Sequence, residues 1–428
     1  MNKERLHTRL FWTFALASLL AGFGGQLVLA LEPAAFAGTW FRQGWVLLAV
    51  HLTTLGFLVL LVMAVLTQFL PVLFGRPLYS LGLAAAGMAA FAVSALGFWI
   101  YLGFARFTWL GWLAGSGLLL GLFLYLLQAG LSLHGAVQQP MTRLTLASAG
   151  AYLALAALLG FLMAPGLSRS PVLPGNPLQT LALHAHLALF GFATLVVYAV
   201  SYQLLPMFNL AKGYPEWPGW TALVLAHAGL LAMIAARFSG LPSLWAWAAL
   251  GLAGSALAYG MQVILLMRKA LRQKRDASLW TFLQALGFFY VAAVMGLRLA
   301  LGGPTGPGFQ AAYIWLLLFG WIGGVIFSQA QKIFYFLSWF DRFSSRIGRF
   351  RVPRAEALLW PGMARALAAF HLLATLLGLA GLLRADPGQL RLAGMAGCAC
   401  FLSLGGLLIG CRVRGRAEPL SSPLPTAA

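Results

Sequence analysis

The stretch HLTTLGFLVLLVMAVLTQFLP, from His51 to Pro71, returns as HLALFGFATLVVYAVSYQLLP from His186 to Pro206. Aligned on the two histidines without a gap, Gly56 meets Gly191, Phe57 meets Phe192, Gln68 meets Gln203 and Pro71 meets Pro206. Each copy is a continuous apolar run of about 20 residues, the length that a helix needs to cross a hydrocarbon core about 30 Å thick. The interval of 135 positions (186 − 51) is long enough for a duplicated group of several helices. A histidine stands at the same place in both copies, so the paired imidazoles point to a metal or haem between them.

Working outward, the whole chain of 428 residues has the same character. It is 61% hydrophobic and 8% charged, with a mean hydropathy of +0.87, which excludes a soluble globular protein. Continuous apolar runs without strand alternation specify helices rather than a barrel. The expected fold is therefore all-α, a polytopic membrane bundle. Twelve spans are predicted, at residues 11–31, 45–70, 79–103, 108–130, 144–163, 181–205, 220–236, 241–267, 280–301, 309–338, 364–383 and 390–410.

Lys and Arg number 28 against eight Asp and Glu, a net charge of +20. This excess is not a nucleic-acid signal, because it concentrates at the ends and in alternate loops. Lys3, Arg5 and Arg9 precede the first span; Arg268, Lys269, Arg272, Lys274 and Arg275 follow the eighth; Arg342, Arg346, Arg349, Arg351 and Arg354 follow the tenth; Arg412, Arg414 and Arg416 close the last. The positive-inside rule then predicts the inner membrane, with both termini in the cytoplasm. The opening MNKERLHTRL leads into a span too long for the core of a cleaved signal peptide. Cys398, Cys400 and Cys411 all fall in or beside the last span, without the spacing of a zinc, iron–sulfur or covalent haem motif, and read as structural thiols.

Twelve spans and a 135-residue period predict three related blocks of four helices, at residues 1–140, 141–275 and 276–410, with a tail at 411–428. The third copy is degenerate. Trp315 stands where the histidine would be, Gly320 keeps the glycine spacing, and Gln331 and Tyr335 fall near the positions of Gln203 and Pro206.

An imidazole inside the membrane is a functional candidate by default. Five qualify as metal ligands: His51, His184, His186, His227 and His371. His184 and His186 are two residues apart, hence about 200° around a helix, and face different sides. Repeat equivalence favours pairing His51 with His186, which leaves His184 for a second haem or a copper ion. All eight carboxylates are expected in loops or tails, which argues against a proton-driven carrier, a type that normally needs an acid within the membrane. His7 and His134 are expected to be solvated, and Gln68 and Gln203 to hydrogen-bond backbone or a neighbouring helix.

The segment His184-Ala-His186-Leu-Ala-Leu-Phe-Gly191, closing at Leu205-Pro206, resembles the haem-ligating helix of haem–copper oxidase subunit I, especially its nitric oxide reductase and cbb-type branches. Twelve helices and pseudo-threefold blocks fit that resemblance. A second resemblance is to the NnrS family of haem- and copper-containing membrane proteins, on His184-Ala-His186 with Phe190-Gly191-Phe192, and on His51-Leu-Thr-Thr54-Leu-Gly56 with Gly75-Arg76-Pro77-Leu78. Departures are plain: the His-x-His lies on the sixth span, the tenth carries Gln329-Ala-Gln331, and Leu187 stands where NnrS would have an acid.

These resemblances imply non-covalent b-type haem, one or two per chain, with copper as a further candidate. They imply a role in electron transfer or in handling nitric oxide or oxygen. The alternatives are a catalytic nitric oxide or oxygen reductase subunit, and a haem-free carrier or respiratory assembly factor on the same fold. Arg384 and Arg391 are candidate propionate partners. Expected partners are the lipid bilayer, a periplasmic electron donor such as a cytochrome c or a cupredoxin, and a second copy or a small membrane subunit.

Overall fold

The computed structural model describes residues 3–38, 43–104, 108–136, 139–164, 173–271, 276–303, 306–348 and 350–417. Arg272, Lys274, Arg275 and Arg349, like the end of the predicted tail, lie outside them. Twelve helices are long and apolar enough to cross a membrane: α1 (His7–Leu31), α2 (Gly44–Phe74), α3 (Leu81–Phe104), α4 (Trp109–Leu133), α5 (Pro140–Met163), α6 (Pro177–Asn209), α7 (Trp217–Ser239), α8 (Ser243–Arg268), α9 (Ala277–Ala300), α10 (Gly308–Arg346), α11 (Pro361–Arg384) and α12 (Pro387–Arg414). The chain is a multi-pass membrane protein.

Local chemistry sets many of the ends. Proline opens α5, α6 and α11, where its missing N–H is one the first turn could not bond anyway. Asn176 caps α6 by accepting from the Leu178 N–H at 2.9 Å, and Asp276 caps α9 through the Leu279 N–H at 2.8 Å. α2 and α7 stop at Gly75 and Gly240, both left-handed with φ of 62° and 70°, a conformation glycine adopts freely.

Pairing rests on small residues, because lipid offers no hydrophobic push between helices and close backbone approach must supply the attraction. A Cβ added to Gly121 of α4 would stand 2.5 Å from the Phe91 nitrogen of α3, and one on Gly251 of α8 would stand 2.8 Å from the Gly229 Cα of α7. These contacts lock α3–α4 and α7–α8 as tight antiparallel hairpins.

Three helices differ from the rest. α2, α6 and α10 have 31, 33 and 39 residues, about 46, 50 and 58 Å at 1.5 Å per residue, and α6 and α10 are the most deeply buried of the set, with α2 and α12 next. Each changes to a π-helical segment part-way: Leu52–Val59, Leu187–Thr194 and Leu316–Gly323. Each segment begins at the residue after His51, His186 and Trp315 respectively. π-turns are rare and concentrate at functional sites. Within them Gly56, Gly191 and Gly320 sit against side chains of outer helices; an added Cβ would meet Ala21 Cβ at 2.4 Å, Tyr152 Cβ at 2.8 Å and Phe288 Cβ at 3.0 Å.

Beyond the π-helical segments, prolines interrupt α2 and α6. Pro71 denies the Thr67 carbonyl its helical donor, and the His7 imidazole supplies one instead, Nε2 to O at 2.8 Å. Gln68 returns a bond to the His7 carbonyl at 2.9 Å. His7 is thus half-buried and bonded, against the expectation of a solvated side chain, because proline left a carbonyl for it to fill. Gln203 of α6 donates to Gln139 Oε1 at 2.7 Å and Thr142 Oγ1 at 3.0 Å, as the sequence predicts of a bond to a neighbouring helix. Gln203→Leu is expected to lower unfolding stability in detergent by about 1–3 kcal/mol, the loss for unpaired polar partners, while any spectrum from the histidine end stays unchanged. A strong spectral shift would place the functional site much nearer this end.

The three cysteines are free thiols, Cys400 and Cys411 buried and Cys398 partly so. Asp341, expected in a loop, lies instead on an exposed helical extension of α10.

Candidate functional site

One large apolar cavity of about 850 Å³ occupies the end of the bundle where α2, α6 and α10 begin. His51, His184 and His186 all line it, together with Phe98, Trp245, Phe289, Tyr313 and Trp315. Its size falls within the range of small-molecule and cofactor sites. No Asp or Glu lines it.

Hydrogen bonds fix the tautomer of each histidine, because a backbone carbonyl can only accept. His51 donates from Nδ1 to its own helix at the Leu47 carbonyl, 2.8 Å. His184 donates from Nδ1 across to α5, at the Ala156 carbonyl, 2.9 Å. Both rings therefore carry a proton on Nδ1, and as neutral imidazoles they leave the Nε2 lone pair free, the arrangement in which a second hydrogen bond orients a metal-binding imidazole. Among the described residues no hydrogen-bond partner meets Nε2 of either ring. Both imidazoles line the same cavity. Phe98 meets the His51 ring edge-on at 5.5 Å. Gly160 of α5 leaves room for the other: a Cβ there would stand 2.8 Å from His184 Cε1.

His186 is differently placed. It too donates from Nδ1, to the Ala182 carbonyl at 2.7 Å. Its Nε2, however, accepts from the Tyr313 hydroxyl of α10 at 2.8 Å, and the two rings lie stacked with centroids 5.7 Å apart. A second bond with the same spacing of 127 positions, Trp321 Nε1 to Thr194 Oγ1 at 3.0 Å, ties α6 to α10 lower down.

The Trp315 indole donates to the Thr375 carbonyl at 3.1 Å and stacks on Phe319 at 4.7 Å. The three long helices α2, α6 and α10, the inner helices, are thus unlike at this end. His51 of α2 and His184 of α6 line the cavity with Nε2 unbonded, His186 of α6 is bonded to Tyr313 of α10, and the Trp315 indole is bonded to α11.

The remaining candidates do not join this set. His227 is held between two hydroxyls, Tyr152 at 2.6 Å from Nδ1 and Ser148 at 3.1 Å from Nε2, so both its nitrogens are engaged. His371 is fully buried and donates from Nε2 to the Phe319 carbonyl at 3.2 Å, amid Phe288, Phe319 and Phe327. Neither lines the cavity. Arg384 and Arg391 are exposed and do not line it either. Among the described residues no three His, Cys, Asp or Glu side chains gather as a metal cluster. Tyr313 was not among the sequence candidates. One signal was available: Tyr313-Ile-Trp315 stands to the third inner helix as His184-Ala-His186 stands to the second.

No family model matches the chain, and no curated protein does. Among solved structures the chain is similar to a heme-copper terminal oxidase dimer seen by cryo-electron microscopy, with a TM-score of 0.60 at 12% identity, covering 95% of this chain and 84% of that one. At that identity the likeness shows the fold: a twelve-helix bundle of the haem–copper oxidase type.

Proposed function

We propose that this is a haem-binding membrane protein in which His51 and His184 hold one b-type haem between α2 and α6, serving electron transfer or the handling of nitric oxide or oxygen. The observation that carries the reading is the pair of neutral imidazoles. Each has Nδ1 anchored on a backbone carbonyl and Nε2 open to one apolar cavity. The donor set fits haem, which needs one or two such nitrogens. It does not fit copper held by three histidines, since no such group exists among the described residues.

The pairing of His51 with His184, rather than with its repeat-equivalent His186, follows from the Tyr313 bond that occupies His186. Three four-helix blocks are part of the same proposal, supported by the matched π-helical segments. Haem with two neutral imidazole ligands would supply a low-spin one-electron centre. The chain's own contribution is orientation: the Leu47 and Ala156 carbonyls hold both rings, Gly160 makes room, and the Phe98 wall excludes water. Electrons would come from a periplasmic donor.

The test is a reduced-minus-oxidised spectrum of the purified protein, with and without carbon monoxide. A low-spin b-type spectrum without a carbon monoxide adduct is expected. Full-length protein from haem-replete cells with no Soret band would refute the reading, and a carbon monoxide adduct would move it to the catalytic alternative.

A further inference from the structure

We propose that Tyr313 is a stoichiometry-determining residue: its ring fills the coordination position of His186 and restricts the chain to one haem. The inference rests on the haem reading above and concerns a different gap of the bundle.

Positions along the inner helices make the two gaps comparable. Tyr313 occupies on α10 the place that His184 occupies on α6, three residues before the start of the π-helical segment. His184 lines the same cavity as His51 of α2, and Tyr313 bonds His186 of α6. The α6–α10 gap is thus built like the α2–α6 gap, with a phenol in place of one imidazole. His186 itself is prepared as a ligand would be, with Nδ1 anchored on the Ala182 carbonyl and Nε2 turned to the cavity. The lone pair that could bind iron instead holds the phenolic proton.

The hydrogen bond alone would be a weak barrier, since a neutral one contributes only about 0.5–1.5 kcal/mol net. Space is the stronger one. The Tyr313 oxygen stands 2.8 Å from Nε2, so iron at the usual imidazole distance of about 2 Å would overlap it. Tyr313 is buried, and its hydroxyl end lies beside Gly296 of α9, where an added Cβ would come within 3.2 Å of Cε2 and 3.3 Å of the hydroxyl oxygen. Removing the hydroxyl should therefore change little, whereas removing the ring should open the site.

The experiment measures haem per chain by pyridine haemochrome, together with carbon monoxide difference spectra. It uses the full-length protein and Tyr313→Phe, Tyr313→Ala, His186→Ala and the double variant His186→Ala/Tyr313→Ala. The wild type, Tyr313→Phe and His186→Ala are expected to hold the same low-spin haem with no carbon monoxide adduct. Tyr313→Ala should take up a second, high-spin haem on His186 that binds carbon monoxide, roughly doubling the haem content, and the double variant should lose that gain.

The retained low-spin spectrum reports folding in each variant. Should Tyr313→Ala not fold, His186→Ala still decides: a fall in haem content or a changed spectrum would show His186 already ligating and overturn the proposal. A folded Tyr313→Ala with unchanged haem content would also overturn it. A wild type with no Soret band would instead overturn the haem reading, a distinguishable failure.

Discussion

His184→Ala and His51→Ala are each expected to reduce low-spin haem in the purified protein by at least about tenfold, since losing a partner one step removed from a metal already costs 10–100-fold. The chain should still insert, because each ring contributes one bond to a backbone carbonyl and its removal leaves the apolar spans intact. The check is the ratio of Soret absorbance to protein at matched monodispersity. His227→Ala is the informative control. That ring bonds Tyr152 and Ser148 outside the cavity, so its loss should lower thermal stability and leave the Soret band in place. A Soret band retained in full by His184→Ala would refute the proposed pairing.

The second large effect concerns packing. Gly56→Leu is expected to destabilise the bundle by about 1–3 kcal/mol or more, the range for overfilling a close-packed interior. The first added carbon would already meet Ala21 Cβ at 2.4 Å and Trp99 Cζ2 at 2.8 Å, and a leucine adds three more. Gly287→Ala in α9, where no atom lies within 4 Å of the added Cβ, should be neutral or stabilise by up to about 1 kcal/mol through helix propensity. Denaturant or thermal unfolding in one detergent checks both, and equal stability of Gly56→Leu and wild type would show that α1 and α3 give way freely.

Much of the fold was legible because hydropathy alone decides where a helix can cross lipid. The twelve predicted spans correspond in order to the twelve helices. The ends of the inner helices were not legible. α10 continues to Arg346, eight residues past the predicted stop at 338, because Asp341, Arg342 and Arg346 read as a loop by charge although the backbone remains helical. The histidines were legible through the repeat, but their partners were not. Repeat equivalence pointed to His51 with His186, whereas the His186 Nε2 is taken by a tyrosine hydroxyl. His186 meets Tyr313, two places before Trp315 on the next long helix. Spacing along one chain carries no direct record of that offset. Arg384 and Arg391 were chosen for their charge and loop position, and neither reaches the cavity.

The π-helical segments have a consequence for rotational phase. In an α-helix each residue advances about 100°, so a helical wheel drawn through a whole span tells which residues share a side. A run of wider turns lets one end lag the other. In α2, α6 and α10 the run begins immediately after His51, His186 and Trp315, and the cavity-lining end is therefore out of step with the end that carries Gln68, Gln203 and Gln331. A single wheel through any of these helices misassigns one of its halves. Deleting one residue inside such a segment would restore regular winding and turn the histidine away from its cavity, without altering a single side chain that contacts it.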